Sequence, residues 1–136
     1  MRVTDANELL ALSIKNAAPH QNIGQLENVE EWVSDPRNVA LRFGGDLGLF
    51  EYVAPGVFEC HAFCRSRGGG AIRSIKAALD AMRTEYGAKS FVGHTQNWGE
   101  RWLYRHLGFT PVREVVRNGE KYTLIVQAGT LEAPKQ

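Results

Sequence analysis

The order of elements along the chain predicts a single mixed α/β domain whose mostly antiparallel sheet contains one parallel pair of strands. Three closely spaced runs of strand-forming residues with tight turns between them, at positions 38–43, 47–53 and 57–64, predict an antiparallel meander. A glycine-rich loop, an amphipathic helix and a short buried strand at 90–94 follow in that order. Because such a strand–helix–strand unit is a right-handed crossover, we expect the third and fourth strands to be parallel.

Two capping signals predict helices before the meander. Asp5 and Glu8 have the spacing of a capping box, and Asn28 and Glu31 repeat that spacing. The side chain of the first residue in such a pair accepts an N–H of the first helical turn and so fixes where the helix begins. We therefore expect one helix that ends at residue 19 and a short second helix that ends at residue 35.

The elements after the meander are two amphipathic helices and a hairpin. Apolar residues recur at helical spacing after the glycine loop, at Ile72, Ile75, Leu79 and Met82. We expect that helix to end at Gly87, and a further helix to run from Asn97 to Gly108. The strand-like runs 109–117 and 121–127 flank Asn118-Gly119, a dipeptide typical of a two-residue hairpin turn.

Length and composition indicate one globular domain. We expect it to cover residues 1–129 of the 136, with a loose polar tail at 130–136. Hydrophobic residues make up 43% and charged residues 23% of the chain, which argues against intrinsic disorder. Sixteen basic and fifteen acidic residues give a net charge of +1, which disfavours binding of nucleic acid or of a membrane surface by the whole molecule. No run approaches the ~20 apolar residues that cross a bilayer.

The two cysteines predict a reduced protein without a metal site. Cys60 and Cys64 are four positions apart in a predicted strand, so their Cα atoms would be ~13 Å apart, beyond the ~7 Å limit for a disulfide. We expect both to be small buried residues on one sheet face. No second ligand cluster at metal spacing accompanies Cys60-His61, so no metal is predicted. With no apolar signal segment expected, the chain is predicted to be intracellular, in the cytoplasm.

The run RSRGGG between the third strand and the long helix predicts a phosphate-binding loop at residues 65–72. Glycine lets a ligand approach the backbone, and the unpaired amides of a helix start converge with the positive end of the helix dipole. Positive charge is added by Arg65, Arg67, Arg73 and Lys76. The loop has no Gly-Lys-Ser/Thr pair, and three strands precede it, which disfavours a P-loop and a Rossmann site. On this feature alone, a plain tight turn fits equally well.

Two motifs around the parallel pair resemble those of the Gcn5-related N-acetyltransferase (GNAT) family. The pattern N-x-x-E-x-x-L-Y-x-x-x-G-F at 97–109 follows the fourth strand, and R-x-x-G-x-G at 65–70 precedes the long helix. The order of elements over residues 4–127 agrees with the same family. An alternative register of the loop, R-x-x-G-x-I at 67–72, puts the helix hydrophobes in better phase. The loop variant and the short N-terminal half look similar to phage or prophage members of the family.

The resemblance implies the GNAT fold and a coenzyme site. Acetyl-coenzyme A would bind in a V-shaped gap between the parallel strands, with its pantetheine arm on the backbone near 62–64 and its pyrophosphate on the amides of 67–71. Arg101 or Arg105 would meet the phosphates of the adenosine end. The residues implied to contact the coenzyme are Ala62, Phe63, Cys64, Arg65, Arg67, Gly68, Gly69, Gly70, Ala71, Asn97, Arg101 and Tyr104.

The implied reaction is direct transfer of the acetyl group to a primary amine of a small molecule or peptide. Tyr104 occupies the family's tyrosine position and would protonate the departing thiolate, since a phenol has a pKa of about 10. A backbone N–H near Phe63 would stabilise the oxyanion. Glu59 and His61, which share one face of the third strand, are candidate bases, and His94 at the end of the next strand is a third.

Several of these residues also admit other interpretations. Glu51 would help to shape a pocket for a cationic amine, and Cys64 is a weaker candidate as an acyl-accepting nucleophile. Aromatic and basic residues on the helix after Asn97 could stack on single-stranded nucleic acid, but the net charge and the helical positions of Trp98 and Trp102 favour core and rim. A non-catalytic module with the same fold is the second hypothesis for the whole chain. The exposed final hairpin could pair two copies into a homodimer.

Overall fold

A six-stranded mixed sheet forms the centre of the computed structural model, which describes residues 1–9, 29–66, 68–96 and 105–128. The strands are β1 (Val39–Phe43), β2 (Asp46–Ala54), β3 (Val57–Phe63), β4 (Ser90–Thr95), β5 (Thr110–Arg117) and β6 (Glu120–Ala128). Their order across the sheet is β1-β2-β3-β4-β6-β5. Every neighbouring pair is antiparallel except β3 and β4, which are parallel. The predicted fold class, including the meander and the parallel pair, is therefore confirmed.

The long helix Gly69–Glu85 covers one face of the sheet. Its residues Ala78, Leu79 and Met82 are buried against the alternate strand residues that point to that side, which include Phe50, Phe58 and Phe91. Because side chains alternate along a strand, the intervening residues face the other side. There the short helix Val29–Ser34 and the N-terminal segment pack on a second cluster, formed by Val3, Leu9, Val29, Ala40, Leu47, Leu49 and Phe63.

Local signals fixed several element boundaries as expected. The carboxylate of Asp5 accepts the backbone N–H of Glu8 at 2.9 Å, which confirms the first capping box. Asn118 and Gly119 have φ values of 52° and 80°, as a type I′ hairpin turn requires. The predicted second cap, Asn28, and most of the helix predicted from Asn97 lie outside the described residues. So does the predicted tail at 130–136.

The N-terminal residues extend the sheet, which the sequence did not predict. Arg2 forms an isolated antiparallel bridge with Leu41, and the backbone N–H of Val3 donates to the carbonyl of Ala40 at 2.8 Å. The start of the chain thus covers the outer edge of β1, which would otherwise present unpaired backbone groups to solvent. Within the ranges that the structure describes, no helix combines the length and the apolar character needed to cross a membrane.

Candidate functional site

The parallel strands β3 and β4 separate after a short stretch of pairing. Their register comprises Val57↔Ser90, Phe58↔Phe91 and Glu59↔Val92. Beyond Glu59, β3 continues against β2 as far as Phe63, while β4 continues against β6 as far as Thr95. The two strands therefore diverge and leave a wedge-shaped gap that opens toward their C-terminal ends, the position at which the resemblance implies a coenzyme.

The loop after β3 leads directly into the start of the long helix. Gly68, the residue before the helix, has a φ of 54°, a conformation that residues with a Cβ adopt only at a cost. No side chain of the described residues caps this helix, and the backbone N–H of Ile72 makes an intrahelical bond to the Gly68 carbonyl at 3.2 Å. The amides before Ile72 therefore point out of the helix toward the loop, where the helix dipole is positive.

The glycines of this loop lie close to a cation and to a neighbouring serine. A Cβ placed on Gly69 would lie 3.3 Å from a guanidinium nitrogen of Arg73, and one placed on Gly70 would lie 3.2 Å from the Cβ of Ser66. The guanidinium of Arg73 thus lies beside the helix start and adds positive charge to it. This combination fits a diphosphate group, and the residues present are compatible with the implied coenzyme.

Asp46 holds the backbone of the loop through hydrogen bonds, a role that the sequence did not predict. Its Oδ1 accepts the backbone N–H of Arg65 at 2.8 Å and that of Ser66 at 3.0 Å, and Asp46 is only 3% exposed. Burial raises the pKa of this carboxyl, but the hydrogen bonds from Ser74, Ser66 and Arg65 outweigh burial and hold the pKa below its usual value. Asp46 therefore uses the amides of Arg65 and Ser66 and holds the backbone of the loop just before the helix.

A cluster of polar side chains lies where β3 and β4 separate, on the face opposite the long helix. Glu59 is its centre: its Oε2 lies 2.8 Å from Nδ1 of His94, 3.0 Å from a guanidinium nitrogen of Arg117 and 3.8 Å from Nε2 of His61. The side chains of Glu59 and His94 are 12% and 16% exposed, and that of Arg117 is 50% exposed. The ring of His94 also makes an edge contact with Tyr122.

The position of the ring hydrogen of His94 is assigned from its contacts. A guanidinium nitrogen of Arg117 lies 3.0 Å from Glu59 and 3.0 Å from Nδ1 of His94; because a guanidinium only donates, it hydrogen-bonds Glu59 and merely contacts Nδ1 when Nδ1 carries the hydrogen. If Nδ1 carried no proton, its lone pair and a lone pair of the Glu59 carboxylate would face each other at 2.8 Å and repel. We therefore assign a proton to Nδ1, which donates to Glu59 and leaves Nε2 as the nitrogen that can accept a proton.

The surroundings shift the pKa values of two members of the cluster. Burial raises the pKa of Glu59, but His61, the hydrogen-bonded Arg117 and His94 together outweigh burial, so the pKa lies below its usual value. Burial lowers the pKa of His61, and the nearby carboxylates of Glu59 and Glu51 offset this only in part. At neutral pH Glu59 is therefore ionised and His61 is neutral.

Three side chains of the cluster could together hold a cation. One ligand atom each from Glu51, Glu59 and His61 lies within 4.8 Å of the others. Carboxylate oxygen and neutral imidazole nitrogen are ordinary metal ligands. Glu59, however, already pairs with the guanidinium of Arg117, so a metal ion would have to displace an existing positive charge.

The thiol of Cys60 lies on the opposite face of β3, at the base of the gap. Its Sγ donates to the carbonyl of Val92 at 3.5 Å. Burial, with a smaller contribution from the charge of Glu59, raises the pKa of this thiol to about 12. Cys60 is therefore protonated at neutral pH and is not a nucleophile.

We expect Cys60 to resist alkylation in the folded protein. In a Cys64→Ala background, iodoacetamide at neutral pH should label Cys60 about a thousandfold more slowly than an ordinary thiol, because the thiolate fraction is lower by about that factor. Denaturant should restore the ordinary rate. Mass spectrometry of timed samples measures both rates, with Cys60→Ala as the matched variant. Since Cys60 is only partly buried, fast labelling without denaturant would contradict its raised pKa.

The structure brings together some of the predicted site residues and does not describe others. Glu59 and His61 share a face of β3 as predicted, and the third candidate base, His94, contacts Glu59. Ala62 and Phe63 lie beyond the last β3–β4 pair, beside the gap. The predicted contacts outside the described residues are Arg67, Asn97, Arg101 and Tyr104. Arg117 was not predicted, because nothing near it in the sequence indicates a partner 58 residues away.

Solved acetyltransferases share this fold, although the sequence itself has no match. No family model matches the sequence, and no curated protein matches it either. Mutant forms of the spermidine/spermine N-acetyltransferase SpeG from Vibrio cholerae superpose with a TM-score of 0.69 at 15% identity, over 99% of this chain and 95% of that one. AAC(6')-Ib in complex with ribostamycin and coenzyme A gives 0.65 at 12% identity, over 100% and 94%.

A third similar structure carries the family name. A protein from Bordetella pertussis described as a GnaT-family acetyltransferase superposes with a TM-score of 0.59 at 15% identity, over 90% of this chain and 89% of that one. At such identities the similarity bears on the fold rather than on the reaction. The diverging parallel strands, the glycine-built helix start and these superpositions agree: the chain has the fold of the GNAT acetyltransferases.

Proposed function

We propose that this protein is an N-acetyltransferase that takes its acetyl group from acetyl-coenzyme A and transfers it to a primary amine of a cationic small molecule or peptide. The observation that carries the proposal is the continuity of the gap with the helix start. β3 lines the gap up to Phe63, and a few residues later the uncapped helix begins at Gly69. An extended thiol arm attached to a diphosphate needs these two features in that order.

Each part of the coenzyme has candidate contacts in this chain. When bound, acetyl-coenzyme A supplies the activated acetyl group as a thioester. The outward-pointing amides of residues 69–71 and the guanidinium of Arg73 would hold the diphosphate. The backbone of Ala62 and Phe63 would hold the arm. The proposed roles of Asn97 and Arg101 at the coenzyme, and of Tyr104 as the acid for the thiolate, rest on the sequence resemblance.

Glu59 and His94 would together remove the proton from the acceptor's ammonium. Glu59 holds the Nδ1–H of His94 and thereby orients the ring, and Nε2 is the atom that accepts the proton. This arrangement gives the carboxylate a positioning role rather than that of the base itself. His61 lies 3.8 Å from the carboxylate, too far for a hydrogen bond, and serves as a neutral neighbour that narrows the site.

The charge of the cluster supports a cationic acceptor. Glu51 and Glu59 bring two carboxylates to one face, Arg117 offsets one of these two charges, and the neutral His61 adds none. One superposing protein is named as a spermidine/spermine N-acetyltransferase, and another is in complex with ribostamycin. Spermidine and ribostamycin are both molecules with several amino groups. A cationic ligand would match the negative charge that remains.

Finer features belong to the same proposal. Val112 and Val116 on the edge strand β5 are 56% and 67% exposed, which supports pairing of the final hairpins in a homodimer. A cytoplasmic location and similarity to phage members of the family stay predictions from the sequence.

We expect coenzyme A to raise the melting temperature of the protein by on the order of 5–10 °C at a hundredfold excess over its Kd. Release of free thiol from acetyl-coenzyme A, measured with a panel of amines, then tests turnover. Cationic primary amines should be acetylated, and their neutral analogues, with a hydroxyl in place of each amine, should not. Stabilisation without thiol release for any amine would favour the non-catalytic module, and no stabilisation would remove the coenzyme site itself.

A further inference from the structure

The final hairpin places a positive charge on the proposed acceptor site from the far side of the sheet. Arg117 is the last residue of β5, which forms the edge of the sheet, and β4 and β6 separate β5 from β3. Neighbouring strands are ~4.8 Å apart. Glu59 is level with Val126 of β6 through Val92. Arg117 pairs with Glu120, six positions farther along β6, so a flat sheet would hold Arg117 more than ~20 Å from Glu59. The hairpin tip must therefore bend over the gap for the guanidinium to reach Glu59 at 3.0 Å.

Among the described residues, the hairpin tip makes few contacts besides this one. β6 pairs with β4 only as far as Thr95↔Thr123, so the turn beyond it overhangs the end of β4. Gln96 donates a hydrogen bond to Glu120 next to the turn. Arg117 is itself 50% exposed, whereas the carboxylate it contacts is 12% exposed. The guanidinium can therefore swing into solvent without disturbing the core, but Glu59 cannot follow it.

Glu59 requires another positively charged partner when Arg117 does not contact it. A carboxylate that is only 12% exposed is less favourable when it is neither paired nor hydrogen-bonded. Arg117 is the member of the cluster with a permanent positive charge, since the guanidinium does not lose its proton in the physiological range. An ammonium group has the same charge, also only donates hydrogen bonds, and is smaller.

We propose that Arg117 is an internal substitute for the acceptor's ammonium group: it occupies the Glu59–His94 pair in the free protein, and a cationic amine binds by displacing it. The hairpin thereby selects for cationic acceptors, because a neutral molecule cannot replace the positive charge that leaves Glu59 with Arg117. This inference rests on the proposed function for its biological meaning, but the exchange of cations at Glu59 can be measured without any acetyl transfer.

In the experiment, propylammonium chloride is titrated into the full chain without coenzyme, and binding is monitored through the NMR signals of the histidine side chains. The Arg117→Gln variant should bind propylammonium about two- to fivefold more tightly than the unaltered protein. This range corresponds to the free energy of an ion pair with one half-exposed partner, here Arg117 with Glu59, which propylammonium no longer has to break. Potassium chloride at the same concentration controls for ionic strength. In the Glu59→Gln/Arg117→Gln double variant, propylammonium should no longer shift the His94 signals.

Arg113→Gln provides a matched control, because Arg113 is an exposed arginine on the same strand and its loss changes the net charge equally. Its propylammonium affinity should equal that of the unaltered protein. A melting curve of Arg117→Gln establishes that the variant is folded. If folded Arg117→Gln binds propylammonium no more tightly, or more weakly, Arg117 is a structural clamp and the inference is wrong. Tighter binding without acetyl transfer to any amine would uphold the inference and contradict only the proposed enzymatic function.

Discussion

Replacing Glu59 by Gln is expected to lower kcat for acetyl transfer by about 10²–10⁴-fold, the usual contribution of a positioned proton acceptor. The variant keeps the size of the side chain but removes the charge that holds the Nδ1–H of His94 at 2.8 Å. The ring is then no longer fixed with Nε2 toward the acceptor. Coenzyme affinity should change little, since Glu59 lies away from the glycine loop. Steady-state kinetics with a cationic amine, together with a coenzyme binding isotherm, measure the two effects separately.

A double-variant cycle tests whether Glu59 and His94 act as one unit. His94→Gln should lower kcat about as much as Glu59→Gln, and the double variant should be hardly slower than either single variant. Glu114→Gln, an exposed carboxylate on β5 outside the cluster, is the charge-matched control and should retain its activity. Losses that multiply in the double variant would show that the two residues act independently. Unchanged kcat in folded Glu59→Gln would remove the pair from the mechanism.

Gly70→Glu is expected to weaken coenzyme A binding by about 10–100-fold, the equivalent of one lost hydrogen bond to a charged group. A Cβ at this position meets the Cβ of Ser66 at 3.2 Å, and the carboxylate would lie among the amides that should hold the diphosphate. It would also compete for the guanidinium of Arg73. A negative charge in the first turn is favourable for the helix itself, so weaker binding would not reflect loss of the fold. Isothermal titration with coenzyme A measures the effect.

Gly70→Ala separates bulk from charge at the same site. It adds the Cβ contact to Ser66 but no charge, so its coenzyme affinity should fall between those of the unaltered protein and Gly70→Glu. A stable Gly70→Glu variant with undiminished coenzyme affinity would place the diphosphate away from this loop. The motif register at 65–70 would then be the wrong part of the chain for this role.

The parts of the fold that the sequence predicted depend on neighbours within a few positions. The capping pair Asp5 and Glu8 and the turn Asn118-Gly119 carry their own geometry, so both were confirmed. Alternation along β3 likewise put Glu59 and His61 on one face, since that depends only on strand periodicity. Period and capping patterns thus suffice for element type and for which side chains share a face.

The parts that the sequence did not predict depend on contacts between distant segments. Alternation cannot show that His94 meets Glu59, because that requires the register in which Glu59 pairs with Val92. The reach of Arg117 to Glu59 requires the overhang of the final hairpin. Asp46 immediately follows two glycines and has the sequence of an ordinary turn residue, so its support of a loop 19 residues later was not visible. Such contacts arise from the packing of complete elements.

The brief pairing of β3 with β4 has a consequence for the cohesion of the molecule. Three residue pairs join the meander to the last three strands, whereas β4 and β6 are joined by six. This seam is the line along which the sheet should open at the lowest free energy, and amide hydrogens there should exchange earliest among the interior strands. A ligand that contacts both β3 and β4 would hold the two sections of the sheet together. Ligand binding should therefore raise the free energy of opening along this seam.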